Sequence, residues 1–331
     1  MGLGKLKFSM FVTMILLLGT LTGIFGVLLY FFASDVSLGI GLTIAIFFAV
    51  VMTLIQWAIA PWLIKISTNM REISRKDNAE LYGTVEELAK KAKIPMPKVY
   101  LVYDGTPNAF AFARTPSSGH IAVHSGLLQR LTKDEVKAVL AHEIGHIKHW
   151  DSTMITVASM VPLLVYYVII LFAGRRDNDK SAGNFMLVWV AAMFAQFLSS
   201  LIVMYLSRTR EHYADAFSAV ATGKPSLLQS ALGKIAYGFP VVNTDVYASK
   251  RAFYIADPQM AVSEARARHK GNDHYQIDHA EVKNAIHWEK TNPISRFREF
   301  FSTHPLTYKR IDALAELEHD IKAKTIDLDS V

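Results

Sequence analysis

The sequence predicts a mainly α-helical chain with four transmembrane helices and a water-soluble α+β domain carrying a small mixed β-sheet. Three observations predict it. Of 331 residues 51% are hydrophobic and only 19% charged, whereas a soluble domain carries about 25% charge. The deficit is concentrated, because 8–32, 36–64, 153–173 and 184–206 contain no charged residue at all. Each exceeds the roughly 18–20 apolar residues that cross a bilayer as helix. The remaining positions, about two hundred, suffice for one soluble domain.

Lys5 and Lys7 precede the first apolar run. A signal peptide has a shorter apolar core, about 7–15 residues, so 8–32 is expected to be an uncleaved span. Residues 1–64 are then an N-terminal tail and a transmembrane hairpin, and 153–206 a second hairpin. Basic residues give the orientation. Lys5, Lys7, Lys65, Arg71, Arg75, Lys76, Lys137, Lys148, Arg208 and Arg210 fall on one side, against Arg175, Arg176 and Lys180 in the connector 174–183. By the positive-inside rule both termini and both polar segments face the cytoplasm, in a multi-pass cell-membrane (inner-membrane) protein. The net charge of +6 is accounted for by these flanks. No nucleic-acid motif accompanies it, so no nucleic-acid partner is expected. The chain has no cysteine, which excludes disulfides, a thiol nucleophile and Cys-ligated metal.

The polar segments 65–152 and 207–331 are separated by an even number of spans and can form one domain. In the first, Thr132 and Glu135 have capping-box spacing. The helix they start should bury Val136, Val139 and Leu140, and it reaches His142-Glu143-Ile144-Gly145-His146. Histidines four apart share a helical face, so His142 and His146 can hold one zinc ion. Glu143 lies about 100° round the helix, placed to accept a proton from water activated there. A metzincin site would need His at 152, which is Ser152. The third ligand is expected to be Glu211. All but 11 of the 65 positions separating it from His146 belong to the hairpin 153–206, which returns the chain to its start. Asp215, one turn on, would orient a ligating histidine. His149, Asp151 and His212 are rival ligands, with His149 expected to face solvent or headgroups beside Trp150. Lys133, Asp134, Glu135, Lys137 and Lys148 crowd the metal-binding helix and keep it outside the bilayer core.

The runs His124-Ser125-Gly126-Leu127-Leu128, His142 to His146, Arg210-Glu211-x-x-Ala214-Asp215-Ala216 and Ser302-Thr303-His304-Pro305 with Arg310-Ile311 together resemble the HtpX-type membrane zinc metalloproteases, relatives of the prenyl-protein endopeptidases. The likeness covers most of the chain. It departs at His212, where an aromatic residue is usual, and over 241–292, to which it assigns no role. It implies a gluzincin-like cytoplasmic domain and one Zn2+ per chain on His142, His146 and Glu211. It also implies Glu143 as general base and acid, and Asp215 in support of a ligand. His304 and Arg310 match a motif near the metal. One of them could stabilise the oxyanion, or His304 could occupy a zinc position, or His304-Pro305 could simply cap the last helix. The implied substrates are misfolded or damaged membrane proteins, in quality control under stress.

A peptidase also has to hold its substrate extended. Residues 97–103, 108–113 and 121–123 alternate like strands. Asn108, Ala109 and Phe110 resemble the family's substrate-facing strand, where backbone at an edge can pair with substrate. Phe110 and Phe112 taken singly are expected to pack inward.

Overall fold

Three apolar helices rise from one side of the molecule into a helical domain faced by a small sheet. A computed structural model of the chain describes residues 36–173, 182–237, 279–323, 326–328 and 331. The predicted span 8–32, the connector cations Arg175, Arg176 and Lys180, and 241–278 of the segment 241–292 lie outside the described residues.

Helix α1 (Val36–Thr68) covers the predicted span 36–64 and runs four residues further. Its two faces differ. Leu54, Ile55, Ile59, Trp62, Leu63 and Ile66 are exposed, while Trp57, Ala60, Pro61 and Ile64 are turned inward at helical spacing. The third predicted span is broken into α5 (Asp151–Ala158) and α6 (Met160–Ala173), joined at Ser159. Pro162, in the first turn of α6, has no N–H to continue the ladder of α5. The fourth does the opposite. Helix α7 (Ala182–Thr222) runs 41 residues unbroken, about 60 Å, roughly twice a bilayer's apolar thickness. Its first half is span-like and its second half is a core helix of the soluble domain, with Ala214, Phe217 and Ala219 fully buried. Among the described residues one helical stretch, Trp189–Thr222, is long and apolar enough to cross a membrane. Among the described residues, then, one crossing-competent helix is found, and the predicted span 8–32 lies outside them.

The sheet has the order β1-β2-β4-β3, from β1 (Arg71–Ile73), β2 (Lys98–Val102), β3 (Ala109–Phe112) and β4 (His120–His124). It is mixed, as expected: β2 and β4 are parallel, and the other two pairs antiparallel. β1 was not legible in the alternation, being only three residues long. β3 is an edge strand, because β4 lies between it and β2.

Helix α2 (Ala79–Ala92) starts at Asn78, whose side chain accepts from the Leu81 N–H, and buries Leu81, Val85, Leu88 and Ala92. α3 (Ser125–Arg130) leads to α4 (Lys133–Lys148), which forms the predicted capping box: Glu135 accepts from the Thr132 N–H at 2.8 Å and Thr132 from the Glu135 N–H at 3.3 Å. Glu135 is also held by Lys234 and Ser230 on α8 (Pro225–Tyr237), at 2.7 and 2.6 Å. Val136, Val139 and Leu140 are buried as expected, and so are Ala138, Ala141, Ile144 and Ile147. α4 is therefore the central rod, with β3 and α2 on some sides and α7 and α8 on others. After 279 the chain forms α9 (His279–Thr291), α10 (Pro293–Glu299) and α11 (Thr307–Lys322), the last lying across α7 and α8.

Candidate active site

α4 and α7 approach closely because Gly145 has no side chain. A Cβ there would stand 3.2 Å from the Ala214 Cα and 3.3 Å from Phe217. The Ser218 hydroxyl donates to the Ala138 carbonyl at 2.6 Å and fixes the register. This contact brings His142 and His146 of α4 against Glu211 of α7. The Nε2 atoms of the two histidines lie 3.0 Å apart. Glu211 Oε2 is 3.6 Å from the first and Glu211 Oε1 3.5 Å from the second. One donor atom from each of the three falls within a 4.8 Å group, and these residues could hold a metal ion. His149, Asp151 and His212, the rival ligands, are not in that group.

The Nδ1 atoms are engaged on the far side. His142 Nδ1 faces Asp215 Oδ1 at 2.9 Å, and His146 Nδ1 faces Asp151 Oδ2 at 2.6 Å. Both rings are thereby fixed with Nε2 toward Glu211, the arrangement in which an imidazole presents a lone pair to a metal. Two such nitrogens at 3.0 Å need a proton or a cation between them. Glu211 Oε2 is buried and ion-paired with Arg310 without a well-aligned hydrogen bond. Burial pushes the His142 imidazole down, but the Asp215 and Glu211 carboxylates more than offset it and hold it up at about 9. His146 is held up in the same sense, by Asp151 and Glu211 against burial and the neighbouring His142. The site therefore favours positive charge, and its two-nitrogen, one-oxygen donor set suits zinc.

Asp215 was expected to orient a histidine and stands where it can. The matching role of Asp151 was not foreseen. Trp150 adopts a left-handed φ of 60° and re-aims the chain between α4 and α5, which returns Asp151 onto His146. Without that break, residues five apart on a helix diverge by about 140°. Each carboxylate has its own arginine. Arg310 of α11 donates to Asp215 through Nε at 2.8 Å and Nη2 at 2.6 Å, and its Nη1 lies 3.1 Å from Glu211 Oε2. Arg210 of α7 donates to Asp151 through Nε at 2.5 Å and through Nη2, and to the His149 carbonyl at 2.8 Å. The only sequence signal for the second set was an acid just past the metal-binding helix and an arginine beside Glu211.

The site opens into a cavity of about 550 Å³. His142, Glu143, His146, Glu211 and His304 face it, and its far wall is the inner face of α1 with Ile155 and Met160. Glu143 is buried, and burial pushes its carboxyl up. His304 places Nδ1 3.2 Å from Glu211 Oε1. It does not cap the last helix: α11 starts after Leu306 with no side-chain cap. Arg310 is not among the residues lining the cavity and is spent on Asp215 and Glu211. On the side of the sheet the wall is 109–114. Phe110 and Phe112 are buried as expected. Asn108 is buried, and its carbonyl accepts from the His124 N–H at 2.9 Å, so it closes the sheet instead of facing the cavity. His149 also departs from expectation. Its Nε2 lies 3.0 Å from the Val331 carbonyl oxygen and its ring stands edge-on to Tyr213, inside the domain and not toward headgroups.

Residues 75–318 match peptidase family M48. The chain is 38% identical over 234 residues to a "Protease HtpX homolog" of Methanothermobacter thermautotrophicus, covering 70% of this chain and 86% of that one. It is 32% identical over 322 residues to another of the same name from Moorella thermoacetica, covering 95% of each. In fold it is similar to the crystal structure of S. mikatae Ste24p, with a TM-score of 0.51 at 17% identity. That likeness spans 94% of this chain and 66% of the other. Given the extent of the family match and of its relatives, the chain belongs to peptidase family M48, as an HtpX-type metallopeptidase.

Proposed function

We propose that the protein is a membrane-bound zinc-dependent endopeptidase that hydrolyses exposed or unfolded segments of membrane proteins at the cytoplasmic face. The observation that carries this reading is the convergence of His142, His146 and Glu211, with Glu143 beside them, in a cavity walled by α1, α5 and an edge strand. His142, His146 and Glu211 would hold one zinc ion. When bound, zinc supplies Lewis-acid chemistry, polarising the scissile carbonyl and making water more acidic.

The rest falls to the chain's own residues. An extended substrate adds to the outer edge of β3, the last strand of the sheet, over 109–113, where main-chain pairing is independent of sequence. Its side chains on the other side meet the apolar face of Trp57, Ala60, Pro61 and Ile64. Glu143 accepts the proton of the attacking water and returns it to the leaving amine, a role that a carboxyl pushed up by burial fits. His304 faces the cavity beside Glu211 and would donate to the oxyanion. Arg310, Asp215, Asp151 and Arg210 keep the ligands aimed. Four spans, with both termini cytoplasmic, remain the preferred topology. It is supported by the charge-free runs, the exposed apolar faces of α1 and α7, and the basic flanks. Clearance of misfolded or damaged membrane proteins under stress is the role that follows.

Purified protein in lipid vesicles should digest an unfolded membrane protein in the presence of zinc, and Glu143→Gln should lower that rate by about 10²–10⁴-fold while keeping one zinc per chain. Undiminished cleavage by that variant would sink the mechanism. Because the chain has no cysteine, single cysteines placed in 174–183 test the topology. They should react with an impermeant reagent added outside intact cells, and protection there would reverse the orientation.

A further inference from the structure

The short helix α10 exposes a ridge that neither the metal site nor the sheet uses. Asn292 caps it by accepting from the Ile294 N–H at 2.9 Å, and Pro293 fills its first turn. Ile294, Phe297 and Phe300 follow at intervals of three and are 58%, 64% and 61% exposed, while Ser295 on the opposite side is fully buried. Phe301 extends the ridge, with its ring 5.3 Å from that of Phe297. A soluble domain rarely leaves four large apolar side chains together in water.

The position of the ridge says what covers it. Phe301 stacks on Phe197 of α7 at 6.0 Å, and Phe197 belongs to the exposed apolar face that continues through Met193, Phe194 and Leu198. Arg208, eleven residues or about 16 Å further along α7, donates to the carbonyls of Glu299 at 2.8 Å and Ser302 at 2.7 Å. The ridge therefore lies along α7 on the membrane side of Arg208, continuous with the surface that faces lipid. Charge agrees. Arg296 and Arg298 flank Phe297 and are exposed. The one acid of the helix, Glu299, is turned inward onto Lys309 and the Leu306 N–H.

We infer that α10 is an interfacial helix that seats Ile294, Phe297, Phe300 and Phe301 in the bilayer surface and offers Arg296 and Arg298 to anionic phospholipid headgroups. Such a helix buries its apolar face at the boundary of headgroups and acyl chains, with basic side chains reaching outward. Two residues after its last carbonyl bound by Arg208 comes His304, so the seat of α10 also fixes the chain that enters the metal site. The inference rests on α7 lying in a membrane, and its test is independent of catalysis.

In the full chain, single cysteines replacing Phe297 or Phe300 would carry an environment-sensitive fluorophore, in vesicles of phosphatidylcholine and phosphatidylglycerol doped with brominated lipid. Leu187→Cys, on the exposed apolar face of α7, serves as membrane reference. Lys90→Cys serves as the distant one, since its neighbour Lys91 reaches the Ala221 carbonyl at the far end of α7. The expected result is quenching by bromolipid at 297, 300 and 187 and none at 90. Omitting phosphatidylglycerol, or introducing Arg296→Gln with Arg298→Gln, should at least halve the quenching at 300. Quenching at 187 but not at 297 or 300 overturns the inference and leaves the membrane reading intact. Loss at 187 as well overturns the membrane reading itself. Shielding of 297 and 300 from both lipid and an aqueous quencher would mean that protein covers the ridge, which also overturns it. Quenching indifferent to headgroup charge and to both arginines removes the phospholipid selectivity.

Discussion

The two histidines that could hold a metal are served by the same chemistry in different surroundings. On one branch His142, Asp215 and Arg310 form a line whose side chains are 1–2% exposed, drawn from α4, α7 and α11. On the other His146, Asp151 and Arg210 are 19%, 8% and 5% exposed, drawn from α4, α5 and α7, and all three border the cavity. The deep branch joins the site to the fold, because Arg310 ties the C-terminal helix to both Asp215 and Glu211. The shallow branch joins it to the apolar helices α5 and α6, because Asp151 opens α5. Breaking the first should therefore cost stability and metal together. Breaking the second should cost metal while the domain stays folded.

The largest effect is expected from Arg310→Leu, which leaves Asp215 buried without its partner. A loss of about 3–5 kcal/mol should appear as a lowered denaturation midpoint, with zinc lost in the same preparation. An unchanged midpoint would erase the distinction between the branches. Asp151→Asn tests the other side: zinc affinity should fall about 10–100-fold in a competition titration, with the unfolding midpoint lowered less than in Arg310→Leu, because the amide oxygen can still accept from Arg210. Gly145→Val pushes α4 from α7 where a Cβ already meets atoms at 3.2–3.3 Å. It should cost about 1–3 kcal/mol and displace Glu211 and Asp215 from the histidines, so zinc weakens although no ligand is altered.

The smallest change, Glu135→Gln, touches neither branch and calibrates the others. Burial raises the Glu135 carboxyl, but Lys234 and Ser230 outweigh it, and the net shift is downward from 4.5. Its contribution, about 1–2 kcal/mol, is therefore complete above pH 4.5 and fades as pH falls through the lower folded value. The variant should be less stable at neutral pH, converge with the parent in acid, and bind zinc normally throughout. A constant difference across that range would place the effect elsewhere.

How much of this the sequence disclosed depends on the kind of interaction. Local signals were legible: the capping box at Thr132 and Glu135, the alternation of β2, β3 and β4, and the shared face of His142 and His146. Glu211 was legible through the hairpin that returns the chain to its start. Asp151 was weighed only as a ligand, because its approach to His146 depends on the left-handed turn at Trp150, a conformation uncommon for a residue with a side chain. Arg310 was read as facing the metal, because nothing along the chain shows that Asp215 claims its guanidinium. The break at Ser159 was concealed because 153–173 carries no charge anywhere and only Pro162 interrupts its hydrogen bonding.

Central to the account is that α4 and the far end of α7 build one metal site across the apolar segment 153–206. The direct measurement is the zinc content of Glu211→Ala after gel filtration, with its helical content checked by circular dichroism. The account predicts one zinc per parent chain and essentially none in the variant, both folded. Equimolar zinc retained by folded Glu211→Ala would contradict it.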